Sequence, residues 1–256
     1  MMTDQEMQKM FVEETKVFLA QKPEEPLIGI YEIYLDLKEM QERENGVRSK
    51  EYLHASRIGG CLRSVVLEHL GYAKEGRKES APKRRIFDNG HSFHDRMKNA
   101  FRMSGVLLEE EGEAVHPGFR VGGKWDGKID VGHGIEILEL KSANQWTFGK
   151  KKELPLESHK LQVSTYMYVE EIYRTRFYYE CKNTNVPFET VYEFEESMLE
   201  KALKRSMVAW RYIDAIVAKG DILNTDFPTA TCIMPNQDAA KRCDCKDACF
   251  KLLKYV

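Results

Sequence analysis

The spacing of apolar residues predicts that roughly the first hundred residues are helical. Apolar positions recur at helical intervals over 3–20 and 27–44, which predicts two amphipathic helices that form a structural layer. His54-Ala55-Ser56 offers an N-cap for a third helix that runs through Leu67 and that Gly71 stops. A fourth helix is expected over 84–103, where Gly105 ends it.

After residue 105 the pattern changes to short apolar runs separated by glycines, which is typical of strands. A small antiparallel sheet is predicted, with strands at 106–108, 118–121, 127–131 and 135–140. A helix, two strands and a long helix are expected next, at 157–171, 176–181, 188–194 and 195–219. The tail after Pro228 is expected to be irregular around its cysteines and to close with a short basic helix near Lys254.

Composition limits the class of protein only broadly. The 256 residues are 42% hydrophobic, which can support the core of one large domain or of a domain with a helical appendage. The net charge of −2 comes from 39 basic and 41 acidic residues and neither supports nor excludes a nucleic-acid surface. Since no run of 18 apolar residues and no secretory pattern is found, we expect a soluble, intracellular protein without membrane association.

The candidate chemistry centres on two carboxylates and a lysine. Asp126 follows Gly122-Gly123-Lys124-Trp125 in a predicted turn, and Glu139-Leu140-Lys141 ends an apolar strand. Two such carboxylates can converge on Mg²⁺ or Mn²⁺ and leave ligand positions for phosphate and water. Strand periodicity puts Glu139 and Lys141 on one face, where the lysine can orient or deprotonate water and offset phosphate charge. In a chain with 31% charged residues, however, a lone E-x-K carries little information.

Four motifs in order give the stretch a family resemblance. They are Gly90-His91-Ser92-Phe93-His94, Gly123-Lys124-Trp125-Asp126, Glu139-Leu140-Lys141 and Gln162-Val163-Ser164-Thr165-Tyr166. Their order resembles the RecB-like branch of the PD-(D/E)XK nucleases. The resemblance implies an α/β (α+β) fold with a central mixed sheet flanked by helices. It also implies an Mg²⁺- or Mn²⁺-dependent deoxyribonuclease that hydrolyses phosphodiester bonds.

The resemblance also implies a role for each motif residue. The implied metal ligands are His94, Asp126, Glu139 and the backbone carbonyl of Leu140. The implied catalytic residues are Asp126, Glu139, Lys141, Gln162 and Tyr166, the last two on one helical face. Two neighbours compete: His91 could replace His94, which stands four residues after Gly90, and Asp130 could replace Asp126. Asp130 is expected at a hairpin end instead.

The cysteines extend the resemblance to the members that carry an iron–sulfur cluster, such as AddB-type nucleases and CRISPR-associated exonucleases. Four of the six cysteines lie near the C-terminus. The resemblance implies a [4Fe–4S] cluster on Cys61, Cys232, Cys243 and Cys249, with Cys245 in place of Cys232 as the alternative. Four thiolates would also suit Zn²⁺. Cys181, on a predicted strand, is expected to be a core residue.

The remaining expectations concern substrate and organisation. Trp146, Lys150 and Lys151 follow the E-x-K strand and are expected to contact DNA. We expect an exonuclease acting on single-stranded DNA or DNA ends in recombination, repair, phage DNA metabolism or CRISPR adaptation. Its protein partner would be a helicase or a recombination or adaptation factor in a bacterial, archaeal or phage-infected cytoplasm. The alternative is a non-catalytic iron–sulfur protein that binds DNA or assists assembly. The predicted regions are a helical part (1–55), a nuclease core (56–225) and a cysteine-rich tail (226–256).

Overall fold

The computed structural model describes residues 2–21, 26–45, 51–72, 81–220 and 243–252. Two compact units are found. The first comprises Met1–Ser49 and Lys78–Phe93, and the second comprises Lys50–Arg77 and His94–Val256. The predicted region boundaries at 55 and 225 stay predictions. None of the described helices is both long and apolar enough to cross a membrane.

The first unit consists of helix α1 (Asp4–Ala20), helix α2 (Pro26–Asn45) and the beginning of helix α5 (Ala81–Met103). The two helices predicted at the N-terminus are confirmed. Thr3 caps α1 in a reciprocal capping box with Glu6. The α1 and α2 helices pack through an edge-on contact between Phe11 and Tyr34. Helix α5 begins at Ala81, earlier than the predicted residue 84.

The second unit begins with strand β1 (Leu53–His54), helix α3 (Ala55–Ile58) and helix α4 (Leu62–His69). The prediction of one helix that is capped at His54-Ala55-Ser56, runs through Leu67 and stops at Gly71 is therefore wrong. A Cβ at Gly59 would lie 2.6 Å from Cβ of Ser158, so packing against another helix determines the path of the chain there. Arg205 stabilises the break by donating to the carbonyl oxygens of Ile58, at 2.6 Å, and of Gly60.

A six-stranded mixed sheet forms the centre of this unit. Its other strands are β2 (Leu107–His116), β3 (Val121–Asp130), β4 (Ile135–Ala143), β5 (Arg174–Cys181) and β6 (Pro187–Glu193). The order is β1-β3-β4-β5-β6, with β2 also paired to β3. The predicted antiparallel arrangement holds for β2, β3 and β4, whereas β5 pairs in parallel with β4 and β1 in parallel with β3. The expected mixed sheet flanked by helices is confirmed.

Two strand predictions fail around the β2–β3 hairpin. The predicted strand at 118–121 is a 3₁₀ helix, Pro117–Phe119, followed by Arg120 with a φ of 45°. Strand β2 is also much longer than the predicted 106–108. Its acidic stretch showed no alternating pattern, but the carboxylates pair with cations elsewhere in the unit: Glu109 with Lys128 at 2.8 Å and Glu110 with Arg102 at 2.5 Å.

Among the described residues, four further α-helices belong to the second unit: α6 (Gln145–Gly149), α7 (Glu157–Glu170), α8 (Glu196–Lys219) and α9 (Lys246–Leu252). Helix α7 packs against β2, β3 and β5, and α8 packs against α4 and α7. The predictions of α7 and α8 are confirmed, whereas α6 was not predicted. Cys181, at the end of β5, is buried as expected.

Candidate active site

Asp126 is held between α5 and β4. It lies within strand β3, so the predicted turn around it is wrong; Gly122, Gly123 and Gly127 are all strand residues. Nδ1 of His94 is 3.1 Å from Oδ1 of Asp126. The backbone N–H of Leu140 donates to the other carboxylate oxygen at 2.8 Å. The strands and helix α5 therefore bring His94, Asp126 and the Glu139-Leu140-Lys141 segment together.

Glu139 and Lys141 point to the face that α7 covers. Nζ of Lys141 donates to Oε1 of Glu139 at 2.5 Å and to Oε1 of Gln162 at 3.3 Å. The amide nitrogen of Gln162 donates to Glu139 at 2.9 Å and to the Tyr166 hydroxyl at 3.2 Å. The tyrosine fits tightly because a Cβ at Gly123 would lie 2.7 Å from its hydroxyl oxygen. Four sequence-predicted residues thus form one hydrogen-bonded chain.

The two carboxylates have opposite electrostatic environments. Burial raises the pKa of Glu139 to about 7, and the charge of Asp126 adds to this, while Lys141 opposes it. Burial also acts to raise the pKa of Asp126, but the hydrogen bond and charge of His94, together with the Leu140 N–H and the charge of Lys141, outweigh it and leave that pKa below its usual value. Asp126 is therefore the more readily ionised of the pair. Burial also raises the pKa of Tyr166, which remains a neutral phenol.

The competing residues lie in different surroundings. His91 belongs to the first unit, where its charge acts on Asp88. Asp130 ends strand β3, and its carboxylate accepts a hydrogen bond from the backbone N–H of Gly132 at 2.7 Å. That contact makes Asp130 a hairpin residue, as expected. Of the alternatives, His94 and Asp126 are the two that the structure places in contact.

The donor atoms at this site suit a hard divalent cation. Oε2 of Glu139 is buried without a hydrogen-bond partner, an arrangement that costs free energy unless another group uses the oxygen. Carboxylate oxygens are ligands that Mg²⁺ and Mn²⁺ prefer, and an imidazole nitrogen is a ligand that first-row transition metals accept. Among the described residues, however, no three His, Cys, Asp or Glu side chains already form a complete metal-binding group. In this structure the carboxylate of Glu139 pairs with Lys141, and that of Asp126 pairs with His94.

Four of the predicted cluster cysteines lie in the described chain, and Cys232 lies outside it. Cys61 is the N-cap residue of α4. The thiol of Cys245 donates to the backbone carbonyl of Ser64, a residue of α4, at 3.6 Å. Burial, with the charge of Cys243, raises the pKa of Cys245 to about 12. Burial also raises the pKa of Cys249. The charges of Cys61 and Cys243 raise this pKa further, whereas the hydrogen bond and charge of Arg63 lower it. Of the described C-terminal cysteines, Cys249 thus lies near Cys61 and Cys243, and Cys245 lies against α4.

The residues expected to contact DNA follow β4 directly. Trp146 on α6 is 89% exposed. The helix is held at its start, because Asn144 accepts from Thr147 N–H at 2.9 Å and Asn183 accepts from the N–H of Gln145 at 3.0 Å. Lys150 is the C-cap residue of α6, and the adjacent Lys151 begins a 3₁₀ helix, although the position of its side chain is not described. An exposed indole therefore stands on an anchored turn.

Sequence reasoning missed His159. It lies on α7 one turn before Gln162, and its Nδ1 is 2.8 Å from the Tyr179 hydroxyl. Burial and the nearby charge of Lys141 lower the pKa of His159 to about 4. Its spacing from Gln162 was the available signal, because residues three apart on a helix share a face.

Comparison with known proteins bears on the fold. No protein-family model matches the sequence, and a comparison with curated proteins found no match. The crystal structure of LHK-Exo in complex with dAMP is similar at a TM-score of 0.51 and 16% identity, over 66% of this chain and 91% of that chain. A further structure of this alkaline exonuclease, from Laribacter hongkongensis, gives a TM-score of 0.48 over the same shares at the same identity. A phage-related exonuclease from Haemophilus somnus 129PT gives a TM-score of 0.47 at 10% identity, over 66% of this chain and 96% of that chain. The chain thus shares its fold with LHK-Exo.

Proposed function

We propose that this protein is a metal-dependent deoxyribonuclease of the PD-(D/E)XK type. The single observation that carries the proposal is the buried Glu139, which pairs with Lys141 and Gln162 and leaves Oε2 without a partner next to the Asp126–His94 contact. A buried carboxylate with so high a pKa destabilises the fold when it is ionised, because burial penalises its charge. Perturbed groups of this kind are typical of functional sites. The similarity in fold to an exonuclease agrees with the proposal.

The residues of the site divide the work of phosphodiester hydrolysis. Lys141 would orient the attacking water and offset the charge that develops on the scissile phosphate. Gln162 holds the lysine and the carboxylate in one geometry through its two amide atoms. Tyr166 does not ionise near neutral pH, and its hydroxyl, which lies against Gly123 of β3, accepts a hydrogen bond from the Gln162 amide.

We propose His94, Asp126, Glu139 and the carbonyl of Leu140 as the ligands of Mg²⁺ or Mn²⁺. Since N–H and C=O of one strand residue point the same way, the Leu140 carbonyl faces the side of Asp126, to which its N–H donates. The cation would supply positive charge for phosphate oxygens and lower the pKa of water. Binding would also lower the pKa of Glu139 and give a partner to its Oε2.

The proposed substrate is DNA that is single-stranded or has a free end. An exposed Trp146 on an anchored turn offers a surface on which a base can stack, and Lys150 and Lys151 add charge for the backbone. LHK-Exo, whose fold is similar, has been crystallised with dAMP. An exonuclease with a helicase or a recombination or adaptation factor as partner fits this substrate.

A [4Fe–4S] cluster is proposed as a second centre, with Zn²⁺ as the alternative occupant. The closeness of Cys249 to Cys61 and Cys243 supports it, because thiols from distant parts of the chain come together there. Cys61, Cys243 and Cys249 belong to both proposed ligand sets. The fourth ligand is Cys232, or Cys245 if its thiol leaves the Ser64 carbonyl.

The test is cleavage of end-labelled single- and double-stranded DNA in Mn²⁺, Mg²⁺ or EDTA. We expect cutting that requires the metal and that falls at least about 100-fold in Asp126→Ala and in Lys141→Ala. Asp130→Ala is the matched control, because this aspartate lies on the same strand and serves the hairpin. Undiminished cutting by the first two variants would overturn the assignment. Tight DNA binding without any cutting would favour the non-catalytic alternative.

A further inference from the structure

A histidine and a tyrosine that the proposed chemistry does not use are hydrogen-bonded beside Lys141. Tyr179 stands directly opposite Lys141 in the parallel pairing of β4 and β5. Side chains of directly paired residues share a face of the sheet. His159 faces the same region from α7, with Nδ1 2.8 Å from the Tyr179 hydroxyl and its ring stacked over Phe177. The pair therefore borders the Glu139–Lys141 network.

Burial of the tyrosine determines which ring nitrogen of His159 carries hydrogen. Tyr179 is 0% exposed, and within the described part of the chain its hydroxyl bonds only to His159. If Nδ1 carried the hydrogen, the hydroxyl hydrogen of Tyr179 would be buried without an acceptor, which is costly. The hydroxyl therefore donates to Nδ1, and the neutral imidazole carries its hydrogen on Nε2.

The ring is also neutral. Burial and the charge of Lys141 lower the pKa of His159 to about 4, so the imidazole has no charge near neutral pH. The side chain is partly exposed, and no described residue accepts a hydrogen bond from Nε2. An uncharged donor on a partly exposed ring thus lies near the lysine.

We propose that His159 is a substrate-binding residue whose Nε2–H donates to a phosphate oxygen of the DNA strand beside Lys141. The inference rests on the proposed nuclease function and adds a residue to that site. A neutral donor suits this position because a second cation would repel Lys141, whereas an N–H group still binds an anionic oxygen. Tyr179 is a positioning residue, since it orients the ring and selects the tautomer.

Two substitutions of His159 separate the roles of its two nitrogens. His159→Asn keeps an acceptor near the position of Nδ1 but removes the donor, whereas His159→Gln places an amide N–H near the position of Nε2. In EDTA, we expect His159→Asn to weaken binding of a fluorescent single-stranded oligonucleotide about tenfold or more, as for a lost hydrogen bond to a charged group. We expect His159→Gln to recover most of that affinity. In Mn²⁺, KM of His159→Asn should rise more than kcat falls.

A methylphosphonate scan locates the contact. Each oligonucleotide carries one uncharged linkage, and one position should weaken binding by the wild type but add little to the loss in His159→Asn. Nitrogen NMR of labelled histidine provides a readout that needs no DNA: Nδ1 of His159 should be unprotonated and Nε2 protonated, and Tyr179→Phe should weaken that preference.

The outcomes distinguish this inference from the function on which it rests. If the wild type neither binds nor cuts DNA, the proposed function fails and the inference with it. If the wild type binds and cuts DNA and His159→Asn binds equally tightly, the function stands and the inference is wrong. A protonated Nδ1 at neutral pH would also overturn it. Circular dichroism of each folded variant excludes a general loss of structure as the cause.

Discussion

The buried carboxylate of Glu139 should make the protein less stable wherever it is ionised. Its side chain is 2% exposed, and burial is the largest influence on a pKa raised from 4.5 to about 7. Each unit of pKa corresponds to about 1.4 kcal/mol, so the ionised group lowers the free energy of unfolding by about 3 kcal/mol. Removing the charge with Glu139→Gln should therefore stabilise the metal-free protein and abolish cutting.

The sign of the pH dependence follows from the raised pKa. This contribution to stability is fully present below the unfolded pKa of 4.5 and is lost as the pH rises through about 7. The wild type should therefore lose stability over this range relative to Glu139→Gln. The two proteins should differ by less than about 1 kcal/mol at pH ~5 and by about 3 kcal/mol at pH ~8.

Thermal unfolding in EDTA, followed by circular dichroism at both pH values, measures the difference. About 3 kcal/mol corresponds to a rise in Tm of roughly 6–10 °C for a chain of this size. Glu136→Gln is the matched control, since Glu136 is a fully buried carboxylate on the same strand. It is paired with Arg176 at 2.6 Å and Arg174 at 3.2 Å, so its substitution should destabilise the protein by about 3 kcal/mol.

Opposite signs for two glutamates on one strand are the critical result. If Glu139→Gln is no more stable than the wild type at the higher pH, the carboxylate does not carry the penalty that its burial implies. A difference that does not depend on pH would also refute the reasoning, because it would come from packing and not from ionisation.

Three further predictions concern packing, substrate and metal. Gly112→Ala would place Cβ 1.9 Å from Cζ2 of Trp125, so it should lower the free energy of unfolding, measured in urea, by about 1–3 kcal/mol. Gly90 lies in a helix and a Cβ there would meet no atom within 4 Å, so Gly90→Ala should instead raise the free energy of unfolding by up to about 1 kcal/mol. Equal effects of the two substitutions would contradict this. Trp146→Ala should leave Tm unchanged and weaken binding of single-stranded DNA about tenfold, as for a lost stacking contact; unaltered affinity would exclude that contact. Cys249→Ser should lose the bound iron or zinc, measured by elemental analysis with the visible spectrum, whereas Cys181→Ser should retain it; metal retained by Cys249→Ser would exclude this ligand.

Local sequence pattern was sufficient to predict which residues of the site share a face of a strand or helix. Glu139 and Lys141 share a face because strand periodicity is local, and Gln162 and Tyr166 share one because helical spacing is local. The relative positions of these pairs depend on which strands are neighbours. The choice of Asp126 and His94 as ligands of one metal came from a family resemblance, and the structure places Nδ1 of His94 3.1 Å from Oδ1 of Asp126 although the predicted turn is a strand.

The errors arose where long-range contacts override local preference. Strand β2 is rich in glutamate, which favours no strand by itself, and is stabilised by Lys128 and Arg102 from other elements. The break before Cys61 depends on Ser158 and Arg205, which are distant in sequence.

By itself, the sequence determined the helices, most strands and the identity of the polar residues, because hydrophobic spacing is set by the geometry of each element. Only the tertiary structure decided which polar atoms are buried and which have partners. The contact between His159 and Tyr179 and the unpartnered oxygen of Glu139 follow from packing between α7, β4 and β5. Burial and neighbouring charge shift pKa values, and both are properties of the assembled core.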